Sequence, residues 1–189
     1  VFTPSLARRY AAVALSQDIP PLVVGERFHT TGSKVCRGCL LAEDFDGCLR
    51  IGLEQEAQGA QVLDLCSAYA GRDETADLTR LVKLYAESVT IPILIDSTTP
   101  DCIEECLKLY PGRCISNSIN LEDGGKTLDK VCRLSKKYGA AVVALTITAD
   151  GMAMTADEKV ETARQIYEQA VGKHGLRAQD ILFDPLTFT

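Results

Sequence analysis

The sequence predicts an α/β fold of the (β/α)8 TIM-barrel class, of which its 189 residues carry the first six βα units. Three observations predict it. Short apolar runs alternate with amphipathic helical patterns, the sign of parallel strands joined by right-handed crossovers. The runs are almost continuously apolar, as strands covered on both faces are. Six of them end in polar groups, and barrel sites draw on the carboxyl ends of many strands. An open doubly wound sheet also alternates strand and helix, but no Gly-x-Gly-x-x-Gly follows the first strand here. A complete barrel takes about 250 residues. The expectation is therefore a barrel that stops short of its last two strands.

In chain order, residues 1–20 read as a lead-in, with a helix around Leu6 to Leu15 ahead of Pro20-Pro21. The first residue is Val1 rather than Met, which suggests a piece of something longer. The strands follow. "LVVGER" (22–27) ends in Gly25, Glu26 and Arg27, and "AQVLDLCS" (60–67) carries Asp64 and Cys66 near its end. "IPILIDSTTP" (91–100) turns from five apolar residues to Asp96, Ser97, Thr98 and Thr99. "RCISNSIN" (113–120) reaches Asn117 and Ser118, "AAVVALTITAD" (140–150) reaches Thr146, Thr148 and Asp150, and "DILFDPLT" (180–187) reaches Asp184.

Between them, residues 44–58 set Phe45, Cys48, Leu49 and Gly52 on one helical face, and residues 75–87 do so with Leu78, Leu81, Val82 and Tyr85. Thr99-Pro100 reads as an N-cap followed by an N1 proline for the helix through Ile103, Cys106 and Leu107. Leu128, Val131, Cys132, Ser135 and Tyr138 form another stripe, closed by Gly139. Thr155-Ala156-Asp157-Glu158 is a capping box. It opens a helix that carries Val160, Ala163, Tyr167 and Ala170 to about His174. Met152 and Met154 read as packing in a loop.

Composition narrows the function classes. With net charge −6 and no basic run, the chain does not read as a nucleic-acid binder. No apolar run approaches the roughly 20 residues of a membrane span, and no signal peptide is visible, so the reading is a cytoplasmic protein with no membrane partner. The eight cysteines include Cys36-Arg37-Gly38-Cys39, but no second pair or His pair follows at zinc-finger spacing. Packed free thiols are the expectation, Cys66, Cys102, Cys106 and Cys132 included, with no metal in this segment.

Converging strand ends would gather Glu26, Asp64, Asp96, Asn117 and Asp184 at one mouth. That set is rich in acceptors, with one amide that both donates and accepts. It suits a flat, neutral heterocycle presenting several N–H donors, not a phosphate, which wants backbone amides and cations. Each residue has a plainer reading: Asp184-Pro185 can start a turn, Asp96 can cap the turn at 97–99, and Asn117 and Ser118 can satisfy loop backbone. Glu26-Arg27 can pair locally, and His29 reads as a loop histidine making one hydrogen bond. Five such accidents at equivalent strand ends are harder to accept than one shared site.

The ordered segments "VVGERFHTTGS" (23–33), "VLDLC" (62–66), "ILIDSTTPDCIE" (93–104), "ISNSINLEDG" (115–124), "GAAVVAL" (139–145) and "ILFDPLTFT" (181–189) resemble the pterin-binding, methyltetrahydrofolate-binding domain of cobalamin-dependent methionine synthases. More distantly they resemble methyltetrahydrofolate:corrinoid methyltransferases and dihydropteroate synthase. The resemblance covers residues 21–189, which would form the pterin-binding barrel domain. It implies a methyltransferase that holds 5-methyltetrahydrofolate at the barrel mouth and offers the N5 methyl to cobalamin on a separate corrinoid domain. It also implies that Asp96, Asn117 and Asp184 hydrogen-bond the pterin, with Glu26, His29, Asp64 and Ser118 around it. Two positions depart from the pattern: His29 and Cys66 stand where asparagines are usual. The rivals are a dihydropteroate synthase-like enzyme, although residues 25–33 lack its Asn-rich first loop, and a non-catalytic pterin-binding fragment.

Overall fold

Strand and helix alternate as expected, except at the start. The computed structural model describes residues 3–8 and 11–187, and the chain divides into two units, Val1–Cys114 and Ile115–Thr189.

The first unit begins with an antiparallel hairpin of β1 (Ser5–Arg8) and β2 (Ala11–Ala14), where a helix was expected. Arg9 and Tyr10, at the middle of that expected helix, lie outside the described residues. The Ala- and Leu-rich segment has good helix propensity, and tertiary partners override it. Ala7 exchanges backbone hydrogen bonds with Arg113 (2.9 and 2.8 Å), and the Arg113 guanidinium donates to Ser5 O at 2.7 Å. Leu6 and Arg8 face inward at the period of two that a strand imposes. Arg8 Nε donates to Val89 O (3.0 Å) and Nη2 to Tyr85 O (3.3 Å). A buried cation thus meets the carbonyl end of a helix, where the helix dipole favours it.

β3 (Val24–Gly25), β4 (Val62–Leu65) and β5 (Ile93–Asp96) are parallel neighbours, each followed by helix: α1 (Lys34–Leu41) and α2 (Phe45–Ala57), α3 (Glu74–Ser88), and α4 (Pro100–Leu109). Helix α1, which carries Cys36 and Cys39, was not foreseen. Its N-cap Ser33 accepts from Cys36 N and its buried residues are Cys36 and Leu40. In α2 the buried residues include Phe45, Cys48, Ile51, Gly52 and Gln55, while Leu49 is only half-buried. The α3 stripe of Leu78, Leu81, Val82 and Tyr85 is fully buried, as read. Tyr85 donates to Cys48 O at 2.7 Å, edge-on to Phe28, and Gly52 makes room for its ring: a Cβ there would sit 2.4 Å from Tyr85 Cε1. Thr99 stands at the N-cap of α4 with Pro100 behind it but makes no side-chain cap bond; Ser97 Oγ instead accepts from Thr99 N.

The second unit holds β6 (Ile115–Leu121), α5 (Lys126–Tyr138), β7 (Ala141–Thr148), β8 (Gly151–Met152), α6 (Ala156–Tyr167) and β9 (Ile181–Asp184). β6 and β9 pair in parallel on either side of β7, and β8 folds back antiparallel onto its end. Gly139 ends α5 with φ +77, and the capping box of Thr155 and Glu158 forms in full. Two expectations fail here. Met152 and Met154 are 46% and 75% exposed, so neither packs. In α6 the buried face is Thr162, Ile166 and, in the π-helical turn Glu168–Lys173, Ala170, while Val160 and Tyr167 are exposed. The true face advances by four residues per step: it keeps Ala170 of the expected stripe but buries Thr162 and Ile166 in place of Val160 and Tyr167. Asp129 on α5 accepts from His174 Nε2 (2.6 Å) and Lys173 Nζ (2.7 Å), which fixes the end of that turn. Among the described residues no helix is long and apolar enough to cross a membrane.

Candidate functional site

Parallel register brings the carboxyl ends of β3, β4 and β5 into one row. Leu65 pairs with Ile95, so the next step sets Cys66 beside Asp96. On its other side Cys66 bridges in parallel to His29, with Cys66 N donating to Phe28 O at 3.0 Å and Thr30 N to Cys66 O at 3.3 Å. Asp64 lies two residues before Cys66 and so projects from the same face of the sheet.

The first loop is built to hold this row. Phe28 is fully buried against Tyr85, and Thr30 Oγ1 donates to Ala68 O at 2.6 Å. Gln55 Oε1, reaching across from α2, accepts from Arg27 N at 2.7 Å. That reach requires Gly25, where a Cβ would lie 2.7 Å from the same oxygen. The Arg27 guanidinium extends to Gln58 Oε1 (2.7 Å), so it serves the α2 helix rather than a local pair with Glu26. Glu26 itself is exposed; with His29 it borders a groove of about 840 Å³.

His29 makes the one loop hydrogen bond expected of it, Nδ1 to Thr31 Oγ1 at 2.8 Å, and also sets Nε2 3.6 Å from Asp96 Oδ2. Asp64 is buried and its Oδ1 has no hydrogen-bond partner. Burial first, and then the neighbouring carboxylates of Asp96 and Glu26, push its pKa up to about 8. It therefore carries a proton near neutrality and can donate, which an all-acceptor mouth could not. Burial also raises the half-buried Asp96, opposed by His29. The Cys66 thiol is pushed up to about 12, chiefly by burial and then by Asp96, so it is a thiol and not a thiolate.

The other expected residues belong to the second unit. Asn117, on β6, pairs with Val143 of β7, and Asp184, the last residue of β9, pairs with Leu145 of the same strand. Asn117 and Ser118 are half-buried, whereas Asp184 is exposed and its Oδ1 accepts from Leu186 N at 2.8 Å, the turn contact that its plainer reading described.

The protein-family profile for pterin binding enzymes matches residues 25–189. The chain belongs to that family. It is 42% identical to the methionine synthase of Mycobacterium tuberculosis and 40% to that of Mycobacterium leprae, each over 191 aligned positions that take in the whole chain. The chain spans 16% of the length of either relative. Among solved structures it is similar to dihydropteroate synthase from Xanthomonas albilineans in complex with 7,8-dihydropteroate. The TM-score is 0.71 at 17% identity, over 97% of this chain and 65% of that one. It is also similar to Yersinia pestis dihydropteroate synthase with a pterine-sulfa conjugate (TM-score 0.68, 17% identity, 96% and 65% covered). At such low identity these structures show the fold: this pterin-binding family member is part of a (β/α)8 barrel.

What the sequence reading missed is local to the first loop. Gln55 and Thr31, which hold Arg27 and His29 in place, were not singled out: Gln55 carries no motif, and Thr31 lies unremarked within the 23–33 segment. The Gly25 beside a buried amide was the nearest signal available. Cys66, read as a packed thiol at a position where the resembled pattern has asparagine, shares the row of the site residues.

Proposed function

We propose that the chain binds 5-methyltetrahydrofolate and presents its N5 methyl group to cobalamin held by a separate corrinoid domain, the folate half-reaction of cobalamin-dependent methionine synthesis. The observation that carries this reading is 40–42% identity to two methionine synthases across the whole chain. The site chemistry supports it. A buried, protonated Asp64 with an unpartnered oxygen beside the half-buried Asp96 offers both a donor and an acceptor to a flat ring edged with N–H groups and ring nitrogens. Asp96, Asn117 and Asp184 are the proposed pterin contacts, with Glu26, His29, Asp64 and Ser118 around them, in a domain of residues 21–189 preceded by the lead-in 1–20.

Cobalamin, when bound on its own domain, supplies the strong nucleophile that takes the methyl group. The chain's own residues have other tasks. They orient the pterin and let N5 gain positive character, with the proton arriving from water or an asparagine network, because a neutral tertiary amine leaves poorly. Asp96 positions the ring and is not assigned the proton. The eight thiols, all free, fit the reducing conditions of a cytoplasm.

Titration of 5-methyltetrahydrofolate into the protein and into the Asp96→Ala and Asn117→Ala variants tests the reading. Each variant should bind at least ~10-fold more weakly, the loss of one or two hydrogen bonds to a polar ligand. Unchanged affinity in both would reject it. The dihydropteroate synthase alternative shares the fold but not the level of sequence identity; turnover of a pterin pyrophosphate with p-aminobenzoate would favour it instead.

A further inference from the structure

We propose that His29, Cys66 and Asp96 form a zinc-binding site. The ligand atoms of these three side chains all lie within 4.8 Å of one another, and His29 Nε2 is already 3.6 Å from Asp96 Oδ2. Zinc–ligand bonds of about 2.0–2.3 Å in a tetrahedron place neighbouring donors roughly 3.5 Å apart. Small side-chain rotations therefore close the set without moving the backbone.

The donors select the metal. One imidazole nitrogen, one sulfur and one carboxylate oxygen match a borderline-soft cation that accepts all three. Magnesium and calcium, which want oxygens throughout, are poorly served. Three protein ligands leave a fourth position for water or another small ligand, the arrangement of an open zinc site.

Independent features point the same way. The three residues come from adjacent segments locked by backbone pairing: His29 bridges to Cys66, and the β4–β5 register sets Cys66 against Asp96. The Thr31 hydroxyl engages His29 Nδ1 at 2.8 Å, so the ring is already oriented with Nε2 toward Asp96. A hydrogen bond to the non-ligating nitrogen is what a metal-binding histidine ordinarily has.

One consequence rests on the pterin reading. Asp96 cannot serve zinc and pterin at once in the same way, so bound zinc competes with folate. The metal site itself does not depend on that reading.

The test uses the whole chain, stripped with a chelator and kept reduced by a phosphine, with cobalt(II) as the visible probe and zinc as the competitor. Cobalt should give a thiolate-to-cobalt charge-transfer band that saturates at one metal per chain and disappears on adding zinc. Cys66→Ser should abolish the band, whereas Cys39→Ser, at the half-exposed thiol of the C-x-x-C, should keep it. Because Cys66 is buried, two further variants stand beside it. His29→Asn should weaken binding more than ~10-fold, and Thr31→Val by roughly 10–100-fold, the usual effect of losing a partner of the ligating ring. No charge-transfer band, a band that survives both Cys66→Ser and His29→Asn, or a band lost with Cys39→Ser would overturn the site. Folate affinity that falls with zinc and returns with chelator is the expected competition. Folate affinity indifferent to bound zinc overturns the sharing of Asp96 but leaves the metal site standing.

Discussion

Replacing Asp64 by asparagine should stabilise the protein at neutral pH, and the gain should vanish in acid. Asp64 is 4% exposed with an unpartnered Oδ1, and its pKa rises from 3.8 to about 8 on folding. Between those values the native state keeps the proton and the unfolded chain releases it. The unfolded state then binds fewer protons, so stability falls as pH rises through that window. Each pH unit costs about 1.4 kcal/mol. From about pH 4 to pH 7 the ceiling is therefore about 4 kcal/mol. Asparagine keeps the shape and never ionises, although its amide protons need acceptors. The expected gain is about 2–4 kcal/mol at pH 7 and close to none near pH 4. Urea unfolding of both proteins at about pH 4, 6 and 8 measures the difference, in which every other titrating group cancels. Stability curves that run parallel across that range would show that Asp64 ionises alike in both states, and the reasoning from burial would fall.

Other consequences are more local. Gly52→Ala drives a methyl into the Tyr85 ring and should cost about 1–3 kcal/mol in chemical denaturation. Tyr85→Phe removes only the buried hydroxyl that reaches Cys48 O and should cost about 1–1.5 kcal/mol, with the ring packing kept. Arg8→Met strips the carbonyls of Tyr85 and Val89 of a charged donor and should cost about 1.5–3 kcal/mol; a neutral result would mean the hairpin does not support α3. Thr155→Ala opens the capping box and should lower stability by about 1 kcal/mol.

Much of the architecture was readable in advance because it is written in short-range periodicity. The fully buried stripe of α3, the Thr155–Glu158 box and Gly139 at the end of α5 depend on residues three or four apart, and each formed where the spacing put it. The failures share a cause as well. The segment around Leu6 has helical propensity, but Arg113, Tyr85 and Val89 offer it partners that only a strand can meet. In α6 Ala170 is buried where the spacing put it, but Thr162 and Ile166 face inward instead of Val160 and Tyr167, a choice made by the β7 strand the helix packs on.

The same division runs through the site. The sequence by itself determined that polar side chains crown the apolar strands, since covered strands must be greasy along their length and can turn polar only where they emerge. Only the tertiary structure decided which of those side chains touch. The register of β4 on β5 and the bridge from the first loop align His29, Cys66 and Asp96, and the depth of Asp64 leaves it holding a proton. Neighbours across a sheet are set by how whole elements pack, and solvation is set by what covers them; neither quantity is local to the residues that feel it.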